Sequence, residues 1–445
     1  MSLSQFKLIS ARFTAAITLF SATSPSSVVA QDVEDVSLFQ GAIASDFFGC
    51  DARSTSMGNT GIVSARDGSA LIYNPANLAR VRRIEFRGGV SHFRQSNETS
   101  LGSRYRTGDA EDDIRKTRIN SLSLTLPVPT YRGSLVFATG VHRFNSFDRA
   151  YSERTYPGID SVYTGSEIEH GGMWKWSAGA GMDISPRLAA GLTLNILTGS
   201  DHFDWQARVA QGNLGDSISE RESINTDIDY VGVSALAGLT YTVSQAFSVG
   251  VTIETPTYLD AEEFSIYDHT VDTLFSPYIW PYDGDPSLPY ETVSFYNLTR
   301  PFAFGIGASG ATGNLLAALD LKYSDWSQLD FDYDDDLLNN SPELRFVKDN
   351  LREVIGVNLG AEYIFPNEGV TVRAGYFLDP LPIDDRYVES QRQYLTFGAG
   401  FLIDRVMTID MSYVHGGYEL RDMDPGTYFA NYKTRRVFVT FAYRV

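Results

Sequence analysis

Cysteine is almost missing from this chain: Cys50 is the one thiol in 445 residues. That excludes a disulfide framework and a thiolate metal cluster within one chain. Basic residues are scarce as well, 36 Lys and Arg against 55 Asp and Glu, for a formal charge of −19. A general nucleic-acid binder needs a basic surface to meet phosphate, so that class is excluded. Beyond the N-terminal segment there is no run of about 18 apolar residues, and mean hydropathy is only −0.16. A bundle of membrane helices is therefore excluded too. No Gly-x-Ser-x-Gly, His-Glu-x-x-His or P-loop occurs, and the six histidines are scattered. Nothing points to catalysis or to a cofactor, and the reading is of a non-enzyme. What the chain has in quantity is 25 Tyr, 27 Phe and 38 Gly, a composition that suits strands, turns and aromatic belts.

Residues 1–30 read as a secretory signal, with Lys7 and Arg12 before the apolar stretch Phe13 to Phe20 and small residues Val28-Val29-Ala30 before Gln31. From Ile84 onward the sequence alternates with period two. Trp174, Trp176, Ala178, Ala180, Met182 and Ile184 make one apolar face, while Lys175, Ser177, Gly179, Gly181 and Asp183 make the other. Leu188 to Ile196, Phe247 to Ile253, Ile355 to Tyr363 and Met407 to Tyr413 repeat the pattern. Fourteen such segments start near residues 84, 118, 132, 172, 187, 226, 246, 300, 313, 353, 369, 394, 406 and 434.

The connections between them alternate short and long. Long ones are expected over roughly 95–117, 145–171, 200–226, 255–299, 325–352, 378–393 and 415–433, and they carry most of the acidic surplus. An even number of strands with all long loops at one end is the organisation of an outer-membrane barrel of a Gram-negative-type bacterium. Inside a bilayer the backbone must pair with itself, and a closed barrel does so without leaving an edge. The expected fold is all-β, a transmembrane antiparallel β-barrel of about 14 strands spanning residues 84–445. One strand face meets lipid and the other a polar lumen. Trp174, Trp176, Tyr323, Trp326, Tyr363 and Tyr376 are expected in the interfacial girdles. Lys175, Asp183, Arg187, Asp320, Lys322, Glu362, Arg373 and Asp410 are expected to face inward and pair with whatever fills the lumen. Residues 31–83 lack strand periodicity, and the lumen is the place for them.

That segment contains Ala52-Arg53-Ser54-Thr55-Ser56-Met57-Gly58-Asn59-Thr60-Gly61, then Asp67-Gly68-Ser69-Ala70, then Tyr73-Asn74-Pro75-Ala76-Asn77-Leu78-Ala79. It resembles the N-terminal hatch of the FadL/TodX-like (OmpP1-type) outer-membrane transporters of hydrophobic compounds. Pro301-Phe302-Ala303-Phe304-Gly305, Asp320-Leu321-Lys322-Tyr323-Ser324-Asp325-Trp326-Ser327 and Asp379-Pro380-Leu381-Pro382-Ile383 resemble later strands of that family. The resemblance implies a hatch plugging a fourteen-stranded barrel, with Asn74, Pro75 and Ala76 as its motif and Gly58, Gly61 and Gly68 as hinge points. It also implies a kinked third strand opening sideways, for which Gly140 is the candidate, and passive uptake of long-chain fatty acids or hydrocarbons. Phe275, Tyr278, Ile279 and Trp280, in the longest loop, read as an exposed apolar cluster that captures ligand. Asp330, Asp332, Asp334, Asp335 and Asp336 lack the glycine and distal glutamate of a calcium loop; they read as a solvated loop, or one bridged to lipopolysaccharide by divalent cations. Expected partners are a hydrophobic small molecule and outer-membrane lipid and lipopolysaccharide, with no nucleic acid, and the chain is expected to be a monomer. An anchor or shuttle component for a secretion system and a general porin are the alternative functions.

Overall fold

The structure is a computed structural model, and it describes residues 48–101, 106–108, 110–158, 161–213, 216–273, 290–334, 339, 342–421 and 428–445. The proposed signal peptide, the start of the proposed hatch, and Phe275, Tyr278, Ile279 and Trp280 lie outside the described residues, as do Asp335 and Asp336.

Fourteen antiparallel strands close on themselves. They are β1 (Glu85–Leu101), β2 (Ala110–Val128), β3 (Leu135–Asn145), β4 (Ser161–Ser185), β5 (Leu188–Asn213) and β6 (Asp216–Thr242). β7 runs in two pieces, Phe247–Glu254 and Thr257–Thr273, and β8 likewise, Tyr290–Arg300 and Ala303–Thr312. The circuit continues through β9 (Leu315–Asp325), β10 (Glu353–Phe365), β11 (Val370–Asp379), β12 (Val388–Ile403), β13 (Met407–Arg421) and β14 (Tyr428–Arg444). β14 pairs with β1 from Glu85↔Arg444 to Leu101↔Tyr428, so the sheet has no free edge there. The two-piece strands share one cause. Pro256 and Pro301 have no N–H to give a ladder, and the breaks in β7 and β8 lie side by side, between Thr257↔Arg300 and Ala303↔Glu254.

Alternation puts the apolar rows on the outside. Trp176, Met182, Leu192, Leu194, Val251, Ile306, Ile355, Leu359 and Phe397 are each 40 to 62% exposed, a band that water would not tolerate but acyl chains would. Tight turns end the strands at one rim. At Asp404-Arg405 both residues hold positive φ (50° and 61°), the conformation of a two-residue hairpin loop.

Two expectations change. Much of the connections expected at 145–171, 200–226 and 255–299 is strand: β5 and β6 pair continuously from Leu188↔Tyr241 to Asn213↔Asp216, far beyond the roughly ten residues that cross a bilayer. Charged and polar neighbours interleave the alternating Phe203, Trp205 and Ala207 there and weaken the period. Trp326 is not a girdle residue; it sits on a 3₁₀ turn after β9, only 9% exposed, within the apolar filling of the lumen. The chain leaves the strand at Asp325, whose carboxylate caps that turn, and this rotates the indole inward.

Candidate functional site

Residues 48–81 lie inside the barrel, nearly all buried. This plug has little regular structure: α1 (Ala52–Ser56), α2 (Ala70–Tyr73) and a 3₁₀ turn at Pro75–Arg80. Its backbone groups therefore need partners from elsewhere, and the polar inner face of the wall supplies them. Asp320 on β9 accepts from Gly61 N (2.7 Å) and Ile62 N (2.9 Å). Thr396 accepts from Gly58 N and donates to Ser56 O. Asn358 donates to Asn59 O, Thr193 to Leu71 O, and Asn120 and Ser121 to Cys50 O.

Asn74 is the most connected side chain of the plug. Its Nδ2 donates to Ile62 O (2.8 Å), Thr240 Oγ1 (3.1 Å) and Leu239 O (3.2 Å), and its Oδ1 accepts from Ala76 N (3.1 Å). It caps the 3₁₀ turn that Pro75 begins, with proline at the position where a missing N–H costs nothing. Ala76 is fully buried. The plug backbone lies against the wall backbone with no room for side chains between. A Cβ at Gly238 would fall 2.0 Å from Asn74 Oδ1, and one at Gly191 would fall 2.2 Å from the Pro75 carbonyl carbon. Gly58 and Gly61 are crowded in the same way, by Leu359 O and the Tyr73 ring. The inward glycines of the strands are the plug's footprint.

Charge ties the same parts together near the short-turn rim. Arg444 meets Glu85 (2.7 Å); Arg87 meets Asp67 (2.8 Å) and Asp51 (3.1 Å); Arg53 meets Glu362 (3.2 Å); and Arg373 meets Glu362 (2.7 Å) and Asp410 (2.8 Å). The chain of ion pairs thus runs from β14 and β1 through the plug to β10, β11 and β13. Burial opposes ionisation of Asp67, but Arg87 and Arg53 outweigh it and hold its carboxyl well below the usual range. Burial likewise pushes the Cys50 thiol up, and the neighbouring Asp51 charge adds to this. Of the charges expected to pair with the plug, Glu362 meets Arg53, with Arg373 and Asp410 behind it, and Lys322 lies over the Tyr73 ring at 5.5 Å. Asp320 binds plug backbone instead, and Lys175 pairs with Glu254 of the wall (2.7 Å). Asp183 and Arg187 stand at the short-turn rim. Arg53, Glu85 and Arg87 were not singled out in the sequence, although charges at inward strand positions are a signal that could have found the last two.

Above the plug an apolar cluster fills part of the lumen, beside a buried ion-pair group of Arg149 with Glu167 and Glu169. Tyr230, Leu259, Tyr296, Leu298, Trp326 and Phe331 belong to one buried cluster drawn from many strands. Cations stand at its floor: Lys175 Nζ lies 4.0 Å over the Phe144 ring, and Arg300 lies 5.0 Å from both Phe144 and Trp326.

The wall has a seam between β2 and β3. Their ladder ends at Ser121↔His142, whereas β2 continues to pair with β1 up to Thr99↔Ala110. The parting coincides with a bulge: Gly89 faces Ser121 and Val90 faces Ile119, so Asn120 is the extra residue and turns in to hold the plug. Side chains bridge the seam. Asp148 receives Lys116 (3.1 Å) and Arg118, and Arg118 also donates to Gly171 O. Gly140 itself is paired on both sides, to Ser123 and Ser177, and the register shift of β3 falls three residues later, at Arg143–Asn145. The acidic loop holds no converging ligands among the described residues; Asp330 pairs with Lys348 (3.0 Å).

A closed fourteen-stranded barrel with its N-terminal segment docked in the lumen is a plugged-channel architecture. No family model and no curated protein matches the chain, but solved structures do. The toluene transporter TodX of P. putida is 14% identical, covering 90% of this chain and 99% of its own, at a TM-score of 0.62. A FadL homologue of Pseudomonas aeruginosa is 13% identical over 91% and 99%, at 0.61. The toluene transporter TbuX of Ralstonia pickettii is 14% identical over 90% and 99%, at 0.53. The fold of this chain is the FadL/TodX-like one.

Proposed function

We propose that this chain is a passive outer-membrane channel for hydrophobic small molecules rather than an enzyme or an open porin. The observation that carries the reading is the combination of a closed lower lumen with an apolar cluster above it. The plug meets the wall through its backbone at Gly191 and through the Asn74 side chain at Gly238, which supports a lower lumen closed to sugars and ions. The buried apolar and aromatic cluster above it supports a place for an apolar ligand among those side chains. Ligand reaches this place from the cell exterior, and residues 31–83 act as a hatch. The seam between β2 and β3 is the proposed lateral exit, because their ladder stops at Ser121↔His142 within the apolar band and backbone pairing resumes only farther up, between residues 106–108 and 154–156. The similar structures include a toluene transporter and a monoaromatic hydrocarbon channel, which supports the same class of cargo. Arg300 and Lys175 at the floor of the cluster suit a long-chain carboxylate, so fatty acids and aromatic hydrocarbons are the two cargoes to compare.

The test is uptake of labelled oleate and labelled toluene by cells lacking the gene, with and without complementation. Complementation should restore uptake of at least one; equal uptake of both compounds with and without the protein would refute the proposal. Liposomes containing the purified barrel should not swell in sugar solutions, and swelling would favour the porin.

A further inference from the structure

The outer surface carries a row of basic side chains at one height, just beyond the apolar band, on four adjacent strands. The registers place His415 of β13 opposite Arg435 of β14, Arg435 opposite Arg94 of β1, and Arg94 opposite Arg115 of β2. All four side chains point out of the barrel, since His415, Arg435 and Arg115 are exposed and Arg94 keeps 41% of its side chain in contact with solvent. The four span about 14 Å of wall at the usual strand spacing. The rows directly beneath read Tyr413, Val437, His92, Thr117 and then Met411, Val439, Val90, Ile119. The surface therefore changes from acyl-compatible to strongly basic within two strand positions.

This arrangement costs stability as it stands, because like charges directly opposite on neighbouring strands repel. Asp113 is shared between Arg94 (2.8 Å) and Arg115 (2.6 Å), which leaves the pair short by one charge. Arg435 has no ion pair among the described residues. Lys433, one row higher, pairs with Glu98. Elsewhere the equivalent height is acidic: on β6 the outward residues Val233 and Val231 give way to Asp229 and Asp227. A chain of net charge −19 has thus set three arginines side by side at one height of its rim, with Asp113 as the one carboxylate ion-paired to that row among the described residues, at the level where lipid headgroups begin.

We infer that Arg94, Arg115, Arg435 and His415 form a binding site for the phosphorylated headgroup of an outer-leaflet glycolipid, with its acyl chains lying down the Val90, Ile119, Val437 and Val439 face. Guanidinium forks match phosphate oxygens in pairs, so one or two phosphates satisfy the repulsion that the protein leaves uncompensated. The site assigns a position to the lipopolysaccharide expected around any such barrel, and it does not depend on what the lumen carries. It borders the β2–β3 seam, because Arg115 stands on the stretch of β2 that has no partner on its β3 side.

Native mass spectrometry of the full-length purified barrel tests the site, titrating Kdo2-lipid A, its dephosphorylated form and inorganic phosphate. The wild type should bind the phosphorylated lipid about tenfold or more tightly than the dephosphorylated one, the scale of one lost charged hydrogen bond. R94Q/R115Q/R435Q should lose that preference, R94K/R115K/R435K should keep most of it, and R82Q/R132Q/R187Q, which removes three exposed arginines at the opposite rim, should behave as wild type. Heat-modified gel migration verifies that each variant is folded. Equal binding of the two lipids by wild type, or an undiminished preference in the triple Gln variant, would overturn the assignment. Competition by inorganic phosphate at the same concentration as the lipid would also overturn it, by showing a plain anion site.

Discussion

Replacing Asn74 by alanine gives a quantitative measure of how firmly the plug is docked. The side chain is fully buried and makes four hydrogen bonds. Two of its partners have a second source: Asn77 Nδ2 also reaches Ile62 O (2.9 Å), and Asn77 Oδ1 accepts from Thr240 (2.9 Å). The loss therefore falls on the Ala76 N–H, left buried without an acceptor, and on the link to β6 through Leu239 O. Losing the cap bond orphans the buried Ala76 N–H at a cost of about 2 kcal/mol, and the missing wall contact adds about 1 kcal/mol. The opening equilibrium of the plug should then rise about 150-fold. Cys50 reads it directly, as the chain's single thiol, 2% exposed and inside the plug. The cleft beside it is lined by Leu122, Gly140 and Val141. Labelling must therefore wait for the plug to open. In detergent, N74A should label about a hundredfold faster than wild type while the barrel keeps its heat-modified migration. Asn74→Ser, which keeps the capping oxygen, should recover about a fivefold part of that difference. Asn74→Asp should recover none, because it points a carboxylate at the carbonyls of Ile62 and Leu239. A folded N74A that labels within about threefold of wild type would refute the reasoning.

Other perturbations test other contacts. Gly238→Ala puts a methyl 2.0 Å from Asn74 Oδ1; the barrel should still fold, but Cys50 labelling should accelerate and liposomes should become leaky to sugars. Arg87→Met strands Asp51, Asp67 and Glu85 without their shared cation; it should loosen the plug by about 3 kcal/mol or more, read by the same labelling, whereas an exposed pair would cost little. The Asp67 carboxyl is held below its ordinary range, so its contribution is fully present above about pH 4 and is lost as pH falls from there towards the depressed value. Cys50 reactivity towards dithiodipyridine, corrected with a model thiol, should be flat from pH 8 to about 5 and climb below about 4; a climb centred near neutrality would contradict the assignment. Arg300→Gln should reduce oleate uptake about tenfold more than toluene uptake, and equal effects on both would argue against recognition of a carboxylate there.

Much of the architecture could be read from alternation. Trp176, Met182, Leu192 and Ile355 point to lipid as their parity requires, and Glu362, Arg373 and Asp410 point inward. The ladder Asp201–Asn213 with Asp216–Ile228 reads as loop although Phe203, Trp205 and Ala207 alternate along it, because charged residues crowd it and it runs well past the length that crosses a bilayer. Alternation failed at Trp326, where one capped turn reverses the direction of the side chain. The seam was approached from the wrong residue. Gly140 looked like a weak point because it lacks a side chain, whereas the parting follows from the extra residue Asn120, and a bulge depends on the partner strand's register, which no single segment contains.

The sequence by itself determined the number of strands, the face that each turns to lipid and the segment that is not strand, because these depend on local periodicity and composition. The tertiary structure decided which groups meet. Asn74 with Thr240, Asp320 with Gly61, Arg53 with Glu362, and the outward row Arg435, Arg94 and Arg115 are pairs or sets far apart in the chain. Closing the barrel fixes them, since the register of one ladder sets the next around the whole circuit. A residue's neighbours across the lumen or along the rim are therefore properties of the closed ring rather than of any strand in it.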